Sequence, residues 1–295
     1  MTAKYLPRGI DYLGDLGAKL RDLQGYRTLL HELVQNADDA PSATEMSFDV
    51  RNAALVVDNN GVFRDCKHVE DEECSWSKDK ARGHRCDFHR FRRIASGDKR
   101  GEAGTTGAFG IGFIAVYQIT DCPELISAGR HWILHEDEKE DRRIEVCDGC
   151  KKCHSPNAGT RFILPWASDP RSYLRKAFRA EEVPKDGPLR LVDELQHAVP
   201  LAMLFLRKLC SIEIKKDGKS IRKFERLLEN DTLILSDGSQ NDHVWHIFRG
   251  DFSAEAARLR EEHGHRIEQK RSAGVTVAIS STDERSADST ATPGC

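Results

Sequence analysis

This 295-residue sequence lacks several features that would fix its function class at once. It has no apolar run near the roughly 20 residues needed to cross a bilayer. Its opening stretch, MTAKYLPRGIDYLGDLGAKL, contains no apolar core of the kind found in signal peptides. The net charge of −3 gives no overall positive field that would attract nucleic acid. We therefore expect a cytoplasmic protein that has no membrane partner and for which nucleic acid is a disfavoured partner compared with a protein client.

Charged residues and cysteines, by contrast, are plentiful. Charged residues make up 32% of the chain and hydrophobic residues 39%, which is typical of a globular protein with a heavily charged surface. The length allows two modest domains. In a reducing compartment, the nine cysteines are expected to be thiols or metal ligands rather than disulfides.

Hydrophobic periodicity predicts helices interleaved with antiparallel hairpins, an α+β fold. The spacing of leucines predicts a helix from about Ile10 to Ala40. Other helices are predicted near FHRFRRIA, from the glycine-rich stretch to Tyr117, over residues 171–180 and 189–209, and at SAEAARLREEHG. The predicted strands are EMSFDV, ALVVD, ELISA, HWILHE, RIEVC, TRFILPW, CSIEIKK, DTLILS, DHVWHIF and GVTVAIS. The pattern changes after residue 168, which places a domain boundary near residues 166–190.

A glycine-rich stretch, TTGAFGIGF, precedes an apolar run and contains Gly107, Gly110 and Gly112. A glycine-rich turn that leads into a helix can bind phosphate, because exposed backbone N–H groups and the helix dipole both favour an anion. The stretch is neither the phosphate loop that ends in Gly-Lys-Ser/Thr nor the dinucleotide fingerprint.

Three polar residues of HELVQNADDA fall along one side of a predicted helix. Glu32 and Asn36 are four residues apart, and Asp39 lies about one turn further on. A carboxylate beside apolar surface can act as a general base, and an amide oxygen can bind Mg²⁺. The alternative interpretation is the polar stripe of an ordinary amphipathic helix.

Two shorter motifs stand at strand ends. In LVVDNNG, Asp58 could accept a hydrogen bond from an exocyclic amine, and Gly61 would let a flat ring approach the backbone. In AGTRFILPW, the Thr160 hydroxyl could share a buried water with Asp58. The alternatives are a plain β-turn for the first motif and the ordinary start of a strand for the second.

The order of these four motifs resembles the GHKL ATPase superfamily, which includes heat-shock chaperones, gyrase-type topoisomerases, mismatch-repair ATPases and histidine kinases. The resemblance covers roughly residues 8–166. Four segments are most similar to the ATP-binding module of the sacsin-like branch, namely ELVQNADDA, SGDKR, TTGAFGIGFIAVYQITD and PELISAG. AMLFLRKLCSIEIK also resembles the segment that follows that module.

The resemblance implies a Bergerat-type α/β sandwich, a mixed and mostly antiparallel sheet covered on one face by helices, with ATP between the two layers. It implies that residues 1–168 form this domain, with Cys/His-rich insertions at about 64–93 and 147–154. We expect residues 169–280 to form a second, truncated α+β domain and residues 281–295 to be disordered. The chain stops early compared with the family, so we expect a fragment or a truncated product.

The resemblance also implies a role for each motif residue. Glu32 matches the water-activating base and Asn36 the Mg²⁺ ligand. Asp58 matches the adenine-binding aspartate, with Gly61 beside it and Thr160 on the adenine side, whereas Asp39 matches a pocket position. The phosphate loop would comprise Gly107, Phe109, Gly110, Ile111, Gly112 and Phe113.

The expected function is Mg²⁺-dependent ATP binding with slow hydrolysis, coupled to closure of a lid over residues 96–110, in a chaperone-like or defence-related protein. The alternatives are a nucleotide-gated interaction module that does not hydrolyse ATP and, less favoured, a DNA-acting ATPase of the same superfamily. The sequence does not reveal which basic residue would contact the γ-phosphate. Lys99 and Arg100 are local candidates, and a solvated charged turn is their alternative interpretation.

The segment CDGCKKCH predicts a structural zinc site made by Cys147, Cys150, Cys153 and His154. The fourth ligand could instead come from the earlier insertion, which offers Cys66, His68, Cys74, His84, Cys86 and His89. The alternative is a set of free thiols in a hairpin loop. The nine Lys and Arg residues between positions 78 and 100 are interpreted as a solvent-exposed charged insertion.

Overall fold

The computed structural model describes residues 11–78, 85–93, 112–147, 149–150, 159–239, 241–263, 274–281 and 285–286. The α-helices in this part of the chain are α1 (Tyr12–Asp22), α2 (Tyr26–Asp39), α3 (Asp87–Phe91), α4 (Tyr173–Phe178), α5 (Gly187–Met203) and α6 (Ser253–His263). Three 3₁₀ helices lie at Ser75–Lys78, Gly112–Gln118 and Glu140–Arg142.

The strands of the described residues are β1 (Glu45–Val50), β2 (Ala54–Asn59), β3 (Glu124–Ser127), β4 (Arg130–Leu134), β5 (Ile144–Val146), β6 (Thr160–Pro165), β7 (Ser211–Lys216), β8 (Lys219–Glu229), β9 (Thr232–Ser236), β10 (Asn241–Asp251), β11 (Gly274–Ser280) and β12 (Arg285–Ser286). Eleven of them form one sheet in the order β11-β10-β9-β8-β7-β1-β2-β6-β3-β4-β5, and β12 pairs with β10. Only the β1–β7 pairing is parallel among the pairings described. The fold is therefore α+β with a mixed, mostly antiparallel sheet, as expected.

The N-terminal helical segment is two helices rather than one. Asp11 caps α1 by accepting a hydrogen bond from the Gly14 backbone N–H at 2.9 Å. The chain then turns at Gly25, whose φ of +100° favours glycine because other residues pay a steric cost there. The prediction of one continuous helix was wrong because the leucine spacing continues across this turn.

The helices pack against one face of the sheet. Side chains of β1 at Met46 and Phe48 pair across the strands with β2 side chains at Asn59 and Val57. Cross-strand neighbours share a face, since side chains alternate along a strand. On this face the buried core combines β1 and β2 residues with the apolar sides of α1, α2 and α5.

The sheet continues across the predicted domain boundary, because β7 pairs with β1 along its whole length. The boundary near residues 166–190 stays a prediction of the sequence. The structure adds one strand that the pattern did not predict, β8, with the sequence KSIRKFERLLE. Only Phe224 of this strand is buried, so charged residues occupy positions where a strand usually shows apolar alternation.

Two further observations concern predictions made from composition. None of the helices in the described ranges combines the length and the apolar character needed to span a bilayer. Cys210 is part of a disulfide, so the expectation that all cysteines are thiols or metal ligands does not hold for this residue.

Candidate functional site

Helix α2 presents the first candidate residues beside the core. Its apolar side, which includes Leu29, Leu33 and Val34, is at most 4% exposed. Glu32 and Asn36 lie next to that buried side and are themselves half-buried. One helical turn separates them, so the carboxylate and the amide lie on one side of α2, at the edge of the apolar core.

The Glu32 carboxylate lies directly against the backbone of Gly112, the first residue of the 3₁₀ helix. A Cβ atom built on Gly112 would overlap Glu32 Oε2, so no larger residue fits at position 112 without moving the carboxylate. The structure thus brings together two motifs that are 80 positions apart in the sequence. It makes the end of the glycine-rich stretch a neighbour of the predicted base.

Several hydrogen bonds hold this 3₁₀ helix in place. The Gln118 amide donates to the Leu23 carbonyl at 2.5 Å and accepts from the Gly25 N–H at 2.7 Å, which ties the helix to the turn before α2. Arg175 of α4 is 2% exposed and donates to the Tyr117 carbonyl at 2.6 Å. Its Nε also donates to Asp121 at 2.6 Å. The position of Gly112 is therefore supported from two sides.

A buried carboxylate adds a third support. Glu136 is 3% exposed and accepts hydrogen bonds from the hydroxyls of Tyr12 and Tyr117, both at 2.5 Å. Burial raises the pKa of both tyrosines, and the negative charge of Glu136 raises it further. The network joins α1, the 3₁₀ helix and the segment after β4.

Asp58 and Asn59 lie on opposite faces of the sheet. Asp58 pairs with Arg161 through two hydrogen bonds of 2.6 and 2.9 Å, and its side chain is 29% exposed. Asn59 lies on the helix side, in line with Val57 of the core and opposite Met46. The sequence analysis did not single out Asn59, although counting alternate positions from Val57 would have placed it on this face.

Thr160 supports the turn that follows Asn59. It is 3% exposed, and its hydroxyl lies 2.8 Å from the Gly61 carbonyl and 2.8 Å from the Ser127 hydroxyl. Because Thr160 pairs with Asn59 while Asp58 pairs with Arg161, Thr160 and Asp58 face opposite ways. The partners of the Thr160 hydroxyl are thus Gly61 and Ser127, and the shared water with Asp58 finds no support in this arrangement.

Gly61 lies in a narrow space at the end of α2. A Cβ atom on Gly61 would come within 3.0 Å of both Ala43 Cβ and Asn59 Oδ1. The Asn59 amide oxygen accepts a hydrogen bond from the Gly61 N–H at 3.0 Å, which fixes its orientation. The turn at residues 59–61 therefore packs closely against the end of α2 and places the Asn59 amide on that side of the sheet.

Asp39 and its neighbour Asp38 hold the segment that follows α5. Asp38 is 3% exposed and accepts hydrogen bonds from the backbone N–H groups of Arg207, Lys208 and Leu209 at 2.8 to 3.1 Å. Arg207 also donates to Asp39 at 2.7 Å. The sequence analysis named Asp39 for the pocket and missed Asp38, whose contacts are a structural link to the later part of the chain.

Part of the predicted phosphate loop lies outside the described residues, namely Gly107, Phe109, Gly110 and Ile111. The same holds for Lys99, Arg100 and the lid over residues 96–110. Phe113 is described, and its ring packs against Phe91 of α3 at 4.8 Å and Phe162 of β6 at 5.2 Å. The 3₁₀ helix therefore touches the Cys/His-rich insertion as well as α2.

A buried cluster of three thiols and one imidazole lies within this insertion. Its members are Cys66, Cys74, Cys86 and His89, and their donor atoms all lie within 4.8 Å of one another. None of the four is more than 6% exposed. Three thiolates and one histidine are a donor set that could hold zinc. The sequence analysis named these residues only as alternative donors for another site.

The surroundings of the cluster act on its titrating groups in different directions. Burial raises the pKa of the Cys86 thiol to about 12 and lowers the pKa of His89, so that the imidazole is neutral at neutral pH. Burial also works to raise the pKa of the Cys74 thiol. Backbone N–H groups of Cys86 and Trp76 donate to the Cys74 sulfur, however, and its pKa is lowered overall.

A second group comprises His131, Cys147 and Cys150, which could also hold zinc. His131 Nδ1 lies 3.2 Å from Cys150 Sγ, and its Nε2 lies 2.9 Å from Glu124 Oε2. His131 from β4 is thus the third described donor of this group. The cysteines and the histidine of the earlier insertion form the first cluster and do not contribute to this one. The sequence analysis missed His131 because strand pairing, not local spacing, brings it to the cysteines. Cys153, His154 and His84 lie outside the described residues.

Comparison with known families gives the class of the N-terminal part. Residues 16–140 match the family described as the sacsin domain. The match includes most of α1, all of α2, β1 and β2, the first cysteine cluster and the 3₁₀ helix at Gly112.

Among individual proteins, the chain is similar to human sacsin. The two are 34% identical over 110 residues, which is 37% of this chain and 2% of human sacsin. The relationship is distant and covers part of the chain, and the chain spans only a small fraction of the human protein.

Proposed function

We propose that the region between α2 and the ends of β2 and β6 binds ATP with Mg²⁺, and that the chain hydrolyses this ATP slowly. The observation that carries the proposal is the contact between the Glu32 carboxylate and Gly112. A base must lie beside the phosphate-binding backbone if it is to act on the water that attacks the γ-phosphate. This contact supports the proposal, because the two residues that carry these predicted roles are neighbours.

The side chains of α2 suit the two tasks. Amide and carboxylate oxygens are the ligand types that Mg²⁺ accepts, and Asn36 would supply one such oxygen while the metal keeps several waters and phosphate oxygens. Bound Mg²⁺ would neutralise charge on the triphosphate. Glu32 would take a proton from water as the water oxygen bonds to the γ-phosphorus. The bond from that phosphorus to the bridging oxygen then breaks, and ADP leaves with this oxygen.

The turn at residues 59–61 would contact the adenine ring. Gly61 lets the turn pack closely against the end of α2, and Thr160 holds the turn through its hydrogen bond to the Gly61 carbonyl. Asn59 lies on the helix-facing side of the sheet, so its amide is our preferred partner for the exocyclic amine. The role that the resemblance gives to Asp58 stays a prediction, because that carboxylate already pairs with Arg161 on the opposite face.

The wider assignment rests on the four ordered motifs together with the sacsin-domain match. It comprises a Bergerat-type nucleotide-binding fold, membership of the GHKL superfamily and work as a module of a chaperone-like or defence-related protein. Coupling of hydrolysis to closure of residues 96–110 stays a prediction of the sequence.

Phosphate release by the Glu32→Ala variant tests the catalytic assignment. We expect turnover to fall by about 10²-fold or more, because a positioned general base contributes that much, while ATP binding persists. Glu261→Ala, an exposed glutamate on α6, serves as the matched control and should keep full turnover. Unchanged turnover in Glu32→Ala would remove Glu32 as the base.

The same assays separate the alternatives. A wild-type chain that binds ATP and releases no phosphate above the Glu32→Ala background would be the nucleotide-gated interaction module. Salt-sensitive binding of duplex DNA that stimulates hydrolysis would instead support the DNA-acting alternative. The net charge of −3 makes us expect no such binding.

A further inference from the structure

The buried cluster of Cys66, Cys74, Cys86 and His89 draws its donors from separate points of one insertion. Cys66 follows β2 by seven residues, Cys74 immediately precedes a 3₁₀ helix, and Cys86 and His89 lie at the start and within α3. Cys66 Sγ lies 3.5 Å from His89 Nδ1, and Cys86 Sγ lies 3.2 Å from the same nitrogen. The fold therefore brings four donors together around one point.

The orientation of His89 is fixed by its other ring nitrogen. Nε2 lies 3.1 Å from the carbonyl oxygen of Asp71, which can only accept a hydrogen bond. Nε2 therefore carries the proton, and the Nδ1 lone pair points toward the thiols. Arg92 donates to the same carbonyl at 2.8 Å and to the Val69 carbonyl at 2.6 Å, which holds this part of the loop. Metal-bound histidines usually make such a hydrogen bond with the distal nitrogen.

The spacing of the donors suits a tetrahedral metal. A zinc ion with Zn–S distances of about 2.3 Å would place neighbouring sulfurs about 3.8 Å apart. The donor atoms of the cluster all lie within 4.8 Å of one another, so small shifts of the side chains would bring them to this geometry. The Cys86 backbone N–H donates to Cys74 Sγ at 3.3 Å, a contact that stabilises a thiolate.

We propose that Cys66, Cys74, Cys86 and His89 form a structural Zn²⁺ site. Four protein donors complete the coordination, so the ion has no open position for a substrate and serves to hold the insertion together. The three cysteines are free rather than paired as disulfides, which leaves all three sulfurs for the metal. This proposal is independent of nucleotide binding.

The metal would fix α3, a helix of five residues that is too short to be stable on its own. Helix α3 carries Phe88, whose ring packs edge-on against Trp132 at 4.9 Å, and Phe91, which packs against Phe113 at 4.8 Å. Phe113 follows Gly112. The zinc site would thus position aromatic side chains that support the 3₁₀ helix beside Glu32.

Metal content measured on the full chain tests the site. We expect the Cys74→Ser, Cys86→Ser and His89→Ala variants, purified in the presence of zinc, each to contain one equivalent of zinc per chain less than the wild-type protein. His89→Cys should keep that equivalent, since it restores a fourth sulfur donor. Cys122→Ser is the matched control, because Cys122 is a half-buried thiol outside the cluster, and it should keep the wild-type content.

Two measurements on wild-type protein cover the case in which the variants fail to fold. Cobalt added to metal-free protein should give the absorption of a tetrahedral thiolate-bound ion. Alkylation followed by mass spectrometry should show Cys66, Cys74 and Cys86 protected until a zinc chelator is added. Reactivity of these three thiols that does not change with chelator, or unchanged zinc content in folded Cys74→Ser and Cys86→Ser variants, would overturn the proposal.

Discussion

Two sets of polar side chains on the same face of the sheet, those of α2 and those of the Cys/His cluster, differ in how deeply they are buried. Glu32 and Asn36 stay half-buried at the edge of the main core, and the turn that contains Asn59 lies nearby. The Cys/His cluster of the insertion is almost fully buried beside Leu125 and Trp132, at the far end of the same face. The first group is half-buried, whereas the second is almost fully enclosed.

The difference indicates distinct roles for the two regions. Buried polar atoms cost free energy unless they find partners, and a bound metal would satisfy four donors at once. Half-buried groups keep their interactions with water until a ligand replaces it. The proposed nucleotide site therefore falls on the half-buried α2 side and the proposed structural metal in the enclosed insertion, with Phe113 and Phe162 between them.

Removing metal should produce the largest effect, and it should act on stability. Stripping zinc from the wild-type chain is expected to lower the free energy of unfolding of the N-terminal part by about 3 kcal/mol or more, roughly 5–10 °C in Tm. Thermal unfolding with and without chelator, followed by zinc add-back, measures this. If the metal-free chain kept the wild-type Tm, a stabilising metal in the insertion would be contradicted.

Gly112→Ala tests the contact that joins the motifs. The added methyl group overlaps the Glu32 carboxylate, which is the flexible end of a half-buried side chain and must rotate away, so we expect a loss of about 0.5–1.5 kcal/mol in the free energy of unfolding. The loss should be clearly smaller in a Glu32→Ala background, where the obstructing atoms are gone. Denaturant unfolding of the two single variants and the double variant completes the cycle. Additive effects would contradict the contact.

Much of the fold could be predicted from local pattern, because most strands alternate and the helices have apolar sides. β8 could not be predicted in this way. Backbone pairing with β7 and β9 holds it in the sheet, while most of its side chains are charged and face water, so the strand shows no apolar alternation. For the site, spacing pointed to Glu32, Asn36 and Gly112. It named Asp58 and did not consider Asn59, although alternation from the buried Val57 places Asn59 on the helix-facing side of the sheet.

The choice between those two residues can be measured. Asn59→Ala is expected to weaken ATP binding by about tenfold, or about 1.4 kcal/mol, through loss of a hydrogen bond to the base. Asp58→Ala should change affinity much less, because its carboxylate is engaged with Arg161 on the other face. Titration with ATP and with GTP compares the variants. A larger effect of Asp58→Ala would return the adenine contact to that residue.

Cysteine positions show a similar limit. The spacing of Cys147, Cys150 and Cys153 suggested one local site, yet the four-donor cluster forms from residues spread over positions 66 to 89. Such a cluster depends on how the insertion folds over β3 and β4, which local spacing does not encode. His131 likewise reaches Cys150 because β4 and β5 pair.

The smallest expected effect concerns alkaline pH. The pKa of buried Tyr117 lies well above its usual value of 10 in the folded chain, because burial and Glu136 disfavour the phenolate. Its contribution to stability is complete below pH 10 and is lost as pH rises further, when only the unfolded chain releases the proton. Stability should fall by at most about 1.4 kcal/mol per pH unit from this group. Tyr117→Phe should show a shallower fall in urea unfolding between pH 9 and pH 11, and an unchanged slope would contradict the assignment.

Calorimetric titration of the purified chain with Mg²⁺ and a non-hydrolysable ATP analogue tests the central claim most directly. We expect one binding site per chain, with affinity at least about tenfold weaker in Asn36→Ala and unchanged in Glu261→Ala. Absence of binding by the folded, zinc-loaded wild-type chain would contradict the claim that α2 and the ends of β2 and β6 form a nucleotide site.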